Sequence, residues 1–253
     1  MNRINIKLQE NKKLLSIYFT AGFPNLNDTV SIIQELEKSG VDMIEIGLPF
    51  SDPLADGPTI QESSTIALQN GMTTKLLFEQ LQDIRKSVGI PLLIMGYFNP
   101  ILQFGIHEFC QKCAEVGIDG VIIPDLPLTV FEQEYKTVFE HYNLKNIFLI
   151  TPQTSEERIR KIDDLSDSFI YMVSSSSTTG SLNSFGENQK KYFNRISKME
   201  LKNPQIVGFG ISNAATFSEA VTLQKGAIIG SKFVHFLKTN PTENIQHFIK
   251  QII

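Results

Sequence analysis

Short apolar runs alternate with longer stretches of helical period along the chain, and the even spacing of that alternation limits the fold more than any other feature. Apolar runs at residues 15–19, 43–47, 92–96, 120–124, 147–150, 169–173, 205–208 and 227–230 read as strands. Helical periodicity covers residues 26–39, 73–88, 106–116, 130–142, 155–165, 189–199, 213–223 and 242–252. An amphipathic segment at 4–11 and a short helix at 59–69 are additions to the pattern. Strands separated by helices pair in parallel through right-handed crossovers. About eight such units, evenly spaced and with no Gly-x-Gly-x-x-Gly opening the first helix, predict an α/β chain folded as a single (β/α)8 TIM barrel. The additions make an extra N-terminal helix and a short helix after strand 2. No linker or break in composition divides residues 1–253, so one domain is expected.

Composition removes several classes of function. Hydrophobic content of 42% and charged content of 20% belong to a soluble globular protein. A formal net charge of -4 without a basic block argues against nucleic acid or an anionic membrane as the main partner. The N-terminus is polar and lacks the apolar core of a signal peptide, and no apolar run approaches spanning length, so a cytoplasmic location is expected. Cys110 and Cys113 spell C-x-x-C, but they fall midway along a helical stretch rather than at its start, which favours packed thiols over redox chemistry. His107, His141, His235 and His247 lack ligand spacing, so no metal site is expected.

A barrel places its chemistry at the C-terminal ends of its strands. At the second of these, the period-2 rule sets Ile44 and Ile46 on one face and Met43, Glu45 and Gly47 on the other. A carboxylate inside a buried strand is costly, and the loop that follows brings a second one, Asp56. Together they are able to supply general acid and base to one substrate. The plainer readings are a structural acid satisfied by backbone amides and ordinary Asp-Gly-Pro turn chemistry. Gly208-Phe209-Gly210 after the seventh strand and Gly230-Ser231 after the eighth stand where barrels bind phosphate. The run from Ser174 to Ser181 reads as a lid over the mouth. Asp125 reads as a loop-ordering acid rather than a catalyst. Tyr18, Phe19, Tyr97, Ile122, Tyr171 and Phe209 are candidates to line an apolar pocket for a flat substrate, with barrel core as the alternative for each. Leu54, Ile101, Leu102 and Phe104 offer apolar surface at the mouth.

The stretch from Glu45 to Pro58, with Ile46-Gly47-Leu48-Pro49-Phe50-Ser51-Asp52-Pro53-Leu54-Ala55-Asp56-Gly57 between, resembles the signature of the tryptophan synthase alpha chain family. The likeness continues through Tyr97-Phe98-Asn99-Pro100, Ile122-Ile123-Pro124-Asp125-Leu126-Pro127, Thr179-Gly180, Gly208-Phe209-Gly210-Ile211 and Gly230-Ser231. It implies a single (β/α)8 barrel and a lyase that cleaves indole-3-glycerol phosphate to indole and glyceraldehyde 3-phosphate by a cofactor-free retro-aldol reaction. Under the resemblance Glu45 protonates indole C3 and assists removal of the glycerol hydroxyl proton, while Asp56 accepts from the indole N–H. Thr179 reaches Asp56 from the lid, and Gly180, Gly210, Gly230 and Ser231 bind the phosphate. The resemblance also implies a beta-chain partner carrying pyridoxal phosphate, in an alpha2beta2 complex. Many members have Arg and Gly in the lid where this chain has Ser175 and Ser177. Two other readings are an isomerase of phosphorylated sugars, whose acid/base carboxylates stand on other strands, and a barrel that only activates its partner.

Overall fold

The structure is a computed structural model that describes residues 1–174 and 185–253. Its strands are β1 (Leu14–Thr20), β2 (Met43–Gly47), β3 (Leu92–Met95), β4 (Gly120–Ile122), β5 (Lys145–Ile147), β6 (Leu149–Ile150), β7 (Ile170–Val173), β8 (Gln205–Gly208) and β9 (Gly226–Ile229). They form one parallel sheet in the order β5-β4-β3-β2-β1-β9-β8-β7-β6. The two ends of that order are successive segments of one stretch, interrupted only at Phe148, whose carbonyl accepts from the Tyr171 amide at 2.9 Å. This stretch pairs with β4 through its first half and with β7 through its second. The sheet therefore closes on itself, and the nine segments are the eight staves of a TIM barrel.

Alternation along the staves builds two apolar layers. Ile17, Phe19, Ile44, Ile46, Ile94, Val121, Met172 and Val207 face outward into the shell shared with the helices. Met43, Leu93, Ile122, Ile147, Tyr171, Ile206 and Ile228 fill the interior. Ile4, from the N-terminal helix Arg3–Gln9, joins the interior layer and plugs the barrel floor. A Cβ on Gly120 would stand 2.9 Å from Ile4 Cδ1, so a glycine there makes the plug possible.

The helices follow from their apolar faces and caps. In Ile106–Val116 the buried residues are Phe109, Cys110, Cys113 and Val116, a helical stripe that ends at Gly117 with φ 80°. The two cysteines are thus free, buried thiols, and burial pushes the Cys110 thiol up to about 12. Thr73, Ser155 and Asn213 cap their helices by accepting from the amide three residues on. The expected N-terminal helix and the short helix after strand 2 are present as Arg3–Gln9 and Pro58–Gln69. Two helices lie outside the expected set, Phe98–Phe104 and Ser231–Thr239. The expected helix at 130–142 is divided, with a π-helical segment Phe131–Tyr135 that packs Phe131 against Phe139 and Phe148. No helix of the described residues is long and apolar enough to cross a membrane.

Candidate active site

Parallel pairing brings the ends of β2, β1, β9 and β8 side by side at one mouth. Tyr18, on the inward face of β1, reaches from the end of β2 to the residue that follows β9. Its hydroxyl occupies the place of a side chain at Gly47, where a Cβ would stand 2.2 Å away, and its ring lies beside Gly230, where a Cβ would stand 3.5 Å away. Tyr171 makes a matching contact across the barrel, its hydroxyl set against Gly208. Both strand-end glycines therefore accommodate phenol oxygens at the barrel mouth.

Glu45 lies on the inward face of β2, opposite Tyr18 of β1 and Leu93 of β3 in register. It is completely buried. One carboxyl oxygen, Oε1, accepts from the Ser16 hydroxyl at 3.0 Å, and Oε2 has no hydrogen-bond partner among the described residues. Loss of hydration disfavours the carboxylate and raises its pKa to about 8, while the Ser16 bond works the other way. At neutral pH the group holds a proton that it is able to give. Backbone amides do not satisfy this acid, so the plain structural reading fails at that point.

Asp56 stands on the loop that leaves β2. The turn chemistry is real: its amide bonds the Pro53 carbonyl at 3.0 Å, Gly57 is the N-cap, and Pro58 begins helix Pro58–Gln69. The turn also aims the carboxyl inward, where Tyr97 donates to Oδ2 at 2.8 Å and itself accepts from the Ala55 amide at 2.9 Å. Burial raises the Asp56 pKa, and the Tyr97 bond opposes that rise. Phe50 packs on Tyr97 with ring centroids 5.1 Å apart. Asp125 accepts from the Phe98 amide at 2.8 Å, which ties the loops after β3 and β4 together as a loop-ordering acid does.

Between these groups lies a small opening, lined by Tyr18, Leu48, Phe50, Asp56, Ser64, Met95, Gly96, Tyr97 and Pro124. Glu45 is not part of this lining, but it is level in register with Tyr18, which is. Of the pocket candidates, Tyr18 and Tyr97 line the opening. Ile122 and Tyr171 belong to the barrel interior, and Phe209 packs at its edge, 6.5 Å from the Tyr171 ring. Phe19 is a correction: it points outward into the helix shell, because adjacent residues of a strand face opposite ways and Tyr18 takes the inward place. The mouth surface is also smaller than expected. Leu54 is 89% exposed and Leu102 44%, but Ile101 is buried and Phe104 packs on Phe78 and Phe109. Leu48, Phe50, Ser64, Met95 and Ser16 were not anticipated. Met95 and Ser16 are legible from strand alternation, as inward positions on β3 and β1.

The glycine loops adjoin each other because β8 and β9 are paired. After Gly208 the backbone turns through two left-handed residues, Phe209 at φ 67° and Gly210 at φ 74°. Such a conformation strains a phenylalanine, and the Ser174 hydroxyl holds its carbonyl at 2.6 Å. Gly230 caps helix Ser231–Thr239, whose first amides open at the mouth. Thr179, Gly180 and the lid from Ser175 to Ser184 lie outside the described residues. No cluster of His, Cys, Asp or Glu suited to a metal ion occurs among the described residues.

The fold and the carboxyl pair define a (β/α)8-barrel enzyme, with a proton-bearing acid beneath an aromatic-lined mouth. The family model of the tryptophan synthase alpha chain matches residues 5–253. The tryptophan synthase alpha chain of Flavobacterium psychrophilum is 68% identical over 252 residues, covering 100% of both chains. That of Christiangramia forsetii is 64% identical, over 100% of this chain and 98% of its own. Among solved structures, tryptophan synthase subunit alpha from Legionella pneumophila has a TM-score of 0.88 at 32% identity, covering 100% of this chain and 97% of that one. A chain of Mycobacterium tuberculosis tryptophan synthase has a TM-score of 0.90 at 27% identity, covering 99% and 96%. This chain belongs to the tryptophan synthase alpha chain family. It is a lyase of tryptophan biosynthesis, and the family reaction is cleavage of indole-3-glycerol phosphate.

Proposed function

We propose that Glu45 and Asp56 carry that cleavage, with the whole chain acting as one domain. Glu45 gives its proton to indole C3, which places positive charge on the indole nitrogen, and Asp56 accepts from the N–H and stabilises that charge. The glycerol hydroxyl next to C3 then loses its proton to the Glu45 carboxylate and becomes the aldehyde of glyceraldehyde 3-phosphate. The C–C bond breaks as its electron pair returns to the ring and restores indole. Protonated indole is itself the electron sink, so the reaction requires no cofactor on this chain. The observation that most supports this reading is Glu45 itself: completely buried, one oxygen unpartnered, its pKa raised to about 8, on the strand whose following loop carries Asp56.

The indole ring belongs against Tyr18, Phe50, Tyr97 and Met95, which line the opening, with Ile122, Tyr171 and Phe209 as apolar support. The phosphate belongs on the amides of Gly210, Gly230 and Ser231, where helix Ser231–Thr239 adds its positive end. The beta chain, with its pyridoxal phosphate, docks on the mouth over Leu54 and Leu102 in an alpha2beta2 assembly. The cytoplasm is the compartment assigned, in keeping with two free cysteines. A crystal structure with a non-cleavable indole-3-glycerol phosphate analogue tests the arrangement. The expected result is phosphate within hydrogen-bond reach of the Gly210 and Ser231 amides, with the indole N–H on Asp56. An analogue seated elsewhere contradicts it.

A further inference from the structure

Ser16 sits where an apolar side chain is the economical choice. Its register partners are Met43 on β2 and Ile228 on β9, both in the interior apolar layer, and it is completely buried. A buried hydroxyl without a partner is destabilising, so the position calls for an explanation. Its side chain donates to Glu45 Oε1 at 3.0 Å, and that bond is the one Glu45 side-chain bond among the described residues. The register sets the direction of the bond. Tyr18 is level with Glu45, and Ser16 is two residues nearer the barrel floor, so the serine takes the lower carboxyl oxygen and Oε2 is left unpartnered.

We infer that Ser16 is a positioning residue for Glu45, fixing one carboxyl oxygen so that the other alone is presented for proton transfer. The inference rests on the reading of Glu45 as the acid/base. Its geometry has no competitor on the neighbouring staves. Leu93 faces Glu45 from β3 and is apolar. The titratable groups around it are the phenols of Tyr18 and Tyr171, held neutral because burial pushes their ionisation upward, and the Asp56 carboxyl. A hydroxyl that donates to a carboxylate stabilises the charged form, so Ser16 sets both the aim of Glu45 and the ease with which it recovers its proton.

The experiment compares Ser16→Ala, Ser16→Thr and Glu45→Gln with the native chain, in complex with the beta chain, by the pH dependence of kcat and kcat/KM for indole-3-glycerol phosphate. Ser16→Ala removes only the donor and adds no bulk. It is expected to move the basic limb of kcat/KM to higher pH by about one unit and to lower kcat about tenfold, with KM within about twofold. Ser16→Thr, which keeps the hydroxyl, should return the limb toward its native place. Titration of the Glu45 carboxyl by carbon-13 NMR in the native and Ser16→Ala chains should show the same displacement without reference to turnover. If Glu45→Gln loses turnover but Ser16→Ala leaves the limb, the NMR titration and kcat unchanged, Ser16 only fills space and the inference is wrong. If Glu45→Gln retains turnover, the parent reading of Glu45 fails and takes this inference with it.

Discussion

At Glu45, burial and hydrogen bonding pull in opposite directions, and burial wins. The folded chain holds the proton up to about pH 8, whereas an unfolded chain releases it near 4.5. Between those values the unfolded state binds fewer protons, so the residue lowers stability progressively as pH rises, and the effect is complete above the folded value. Glu45→Gln is therefore expected to be more stable than the native chain at pH 8.5, by on the order of a few kcal/mol, and to lose most of that advantage at pH 5. Denaturant unfolding at the two pH values checks the sign. Tyr97 plays the same part at Asp56 that Ser16 plays at Glu45. Its hydroxyl is the donor that counters the effect of burial, so Tyr97→Phe should raise the Asp56 pKa further. The acidic limb of kcat/KM then moves to higher pH, with turnover reduced about tenfold or more. An unmoved acidic limb in Tyr97→Phe means that Asp56 is not the group titrating there.

Strands in this chain could be read almost to the residue, because each stave is a short apolar run bounded by polar ends. Faces were also readable where the period-2 rule was applied strictly, as it was at Glu45. Tyr18 and Phe19 are neighbours on one strand and cannot both look inward, so only one of the two has a place in the pocket. Phe98–Phe104 is a short helix with Pro100 in its first turn, where the missing N–H has no intrahelical partner, and so few residues leave no helical period to read. In Ser231–Thr239 the glycine-serine pair of an anion loop also starts a helix, whose stripe is Phe233, Val234 and Leu237. The contact of Tyr18 with Gly47 could not be read at all, since it joins two staves through a side chain. It gives an element-scale test. Gly47→Ala puts a Cβ 2.2 Å from the Tyr18 hydroxyl and is expected to cost about 1–3 kcal/mol and to reduce turnover. In a Tyr18→Phe background the same substitution should cost clearly less. Equal penalties in the two backgrounds would show that the Tyr18 hydroxyl is not what excludes a side chain there.

Viewed as a whole, the barrel keeps stability and chemistry at opposite ends. Its floor is bound by charge and hydrogen bonds as well as by the Ile4 plug. Buried Asp119 receives Arg85 at 2.6 Å, Arg3 at 3.0 Å and the Leu92 amide at 3.0 Å, while the Asn2 side chain donates to the Asp119 carbonyl at 2.8 Å. That end holds the N-terminal helix against the strands. The mouth instead collects the groups that a purely structural barrel would avoid: an acid without a full set of partners, a strained Phe209, and a leucine 89% exposed at Leu54. Addition of a cognate beta chain should cover Leu54 and raise the lyase rate, and Leu54→Asp should weaken that activation while leaving the rate of the isolated chain unchanged. The central claim is that Glu45 supplies the proton for indole-3-glycerol phosphate cleavage. Its most direct test is release of indole by Glu45→Gln, saturated with the beta chain and shown by circular dichroism to be folded. A loss of at least about 10²-fold in kcat is expected, with affinity for a substrate analogue nearly unchanged, and turnover within a few-fold of the native chain would contradict that role for Glu45.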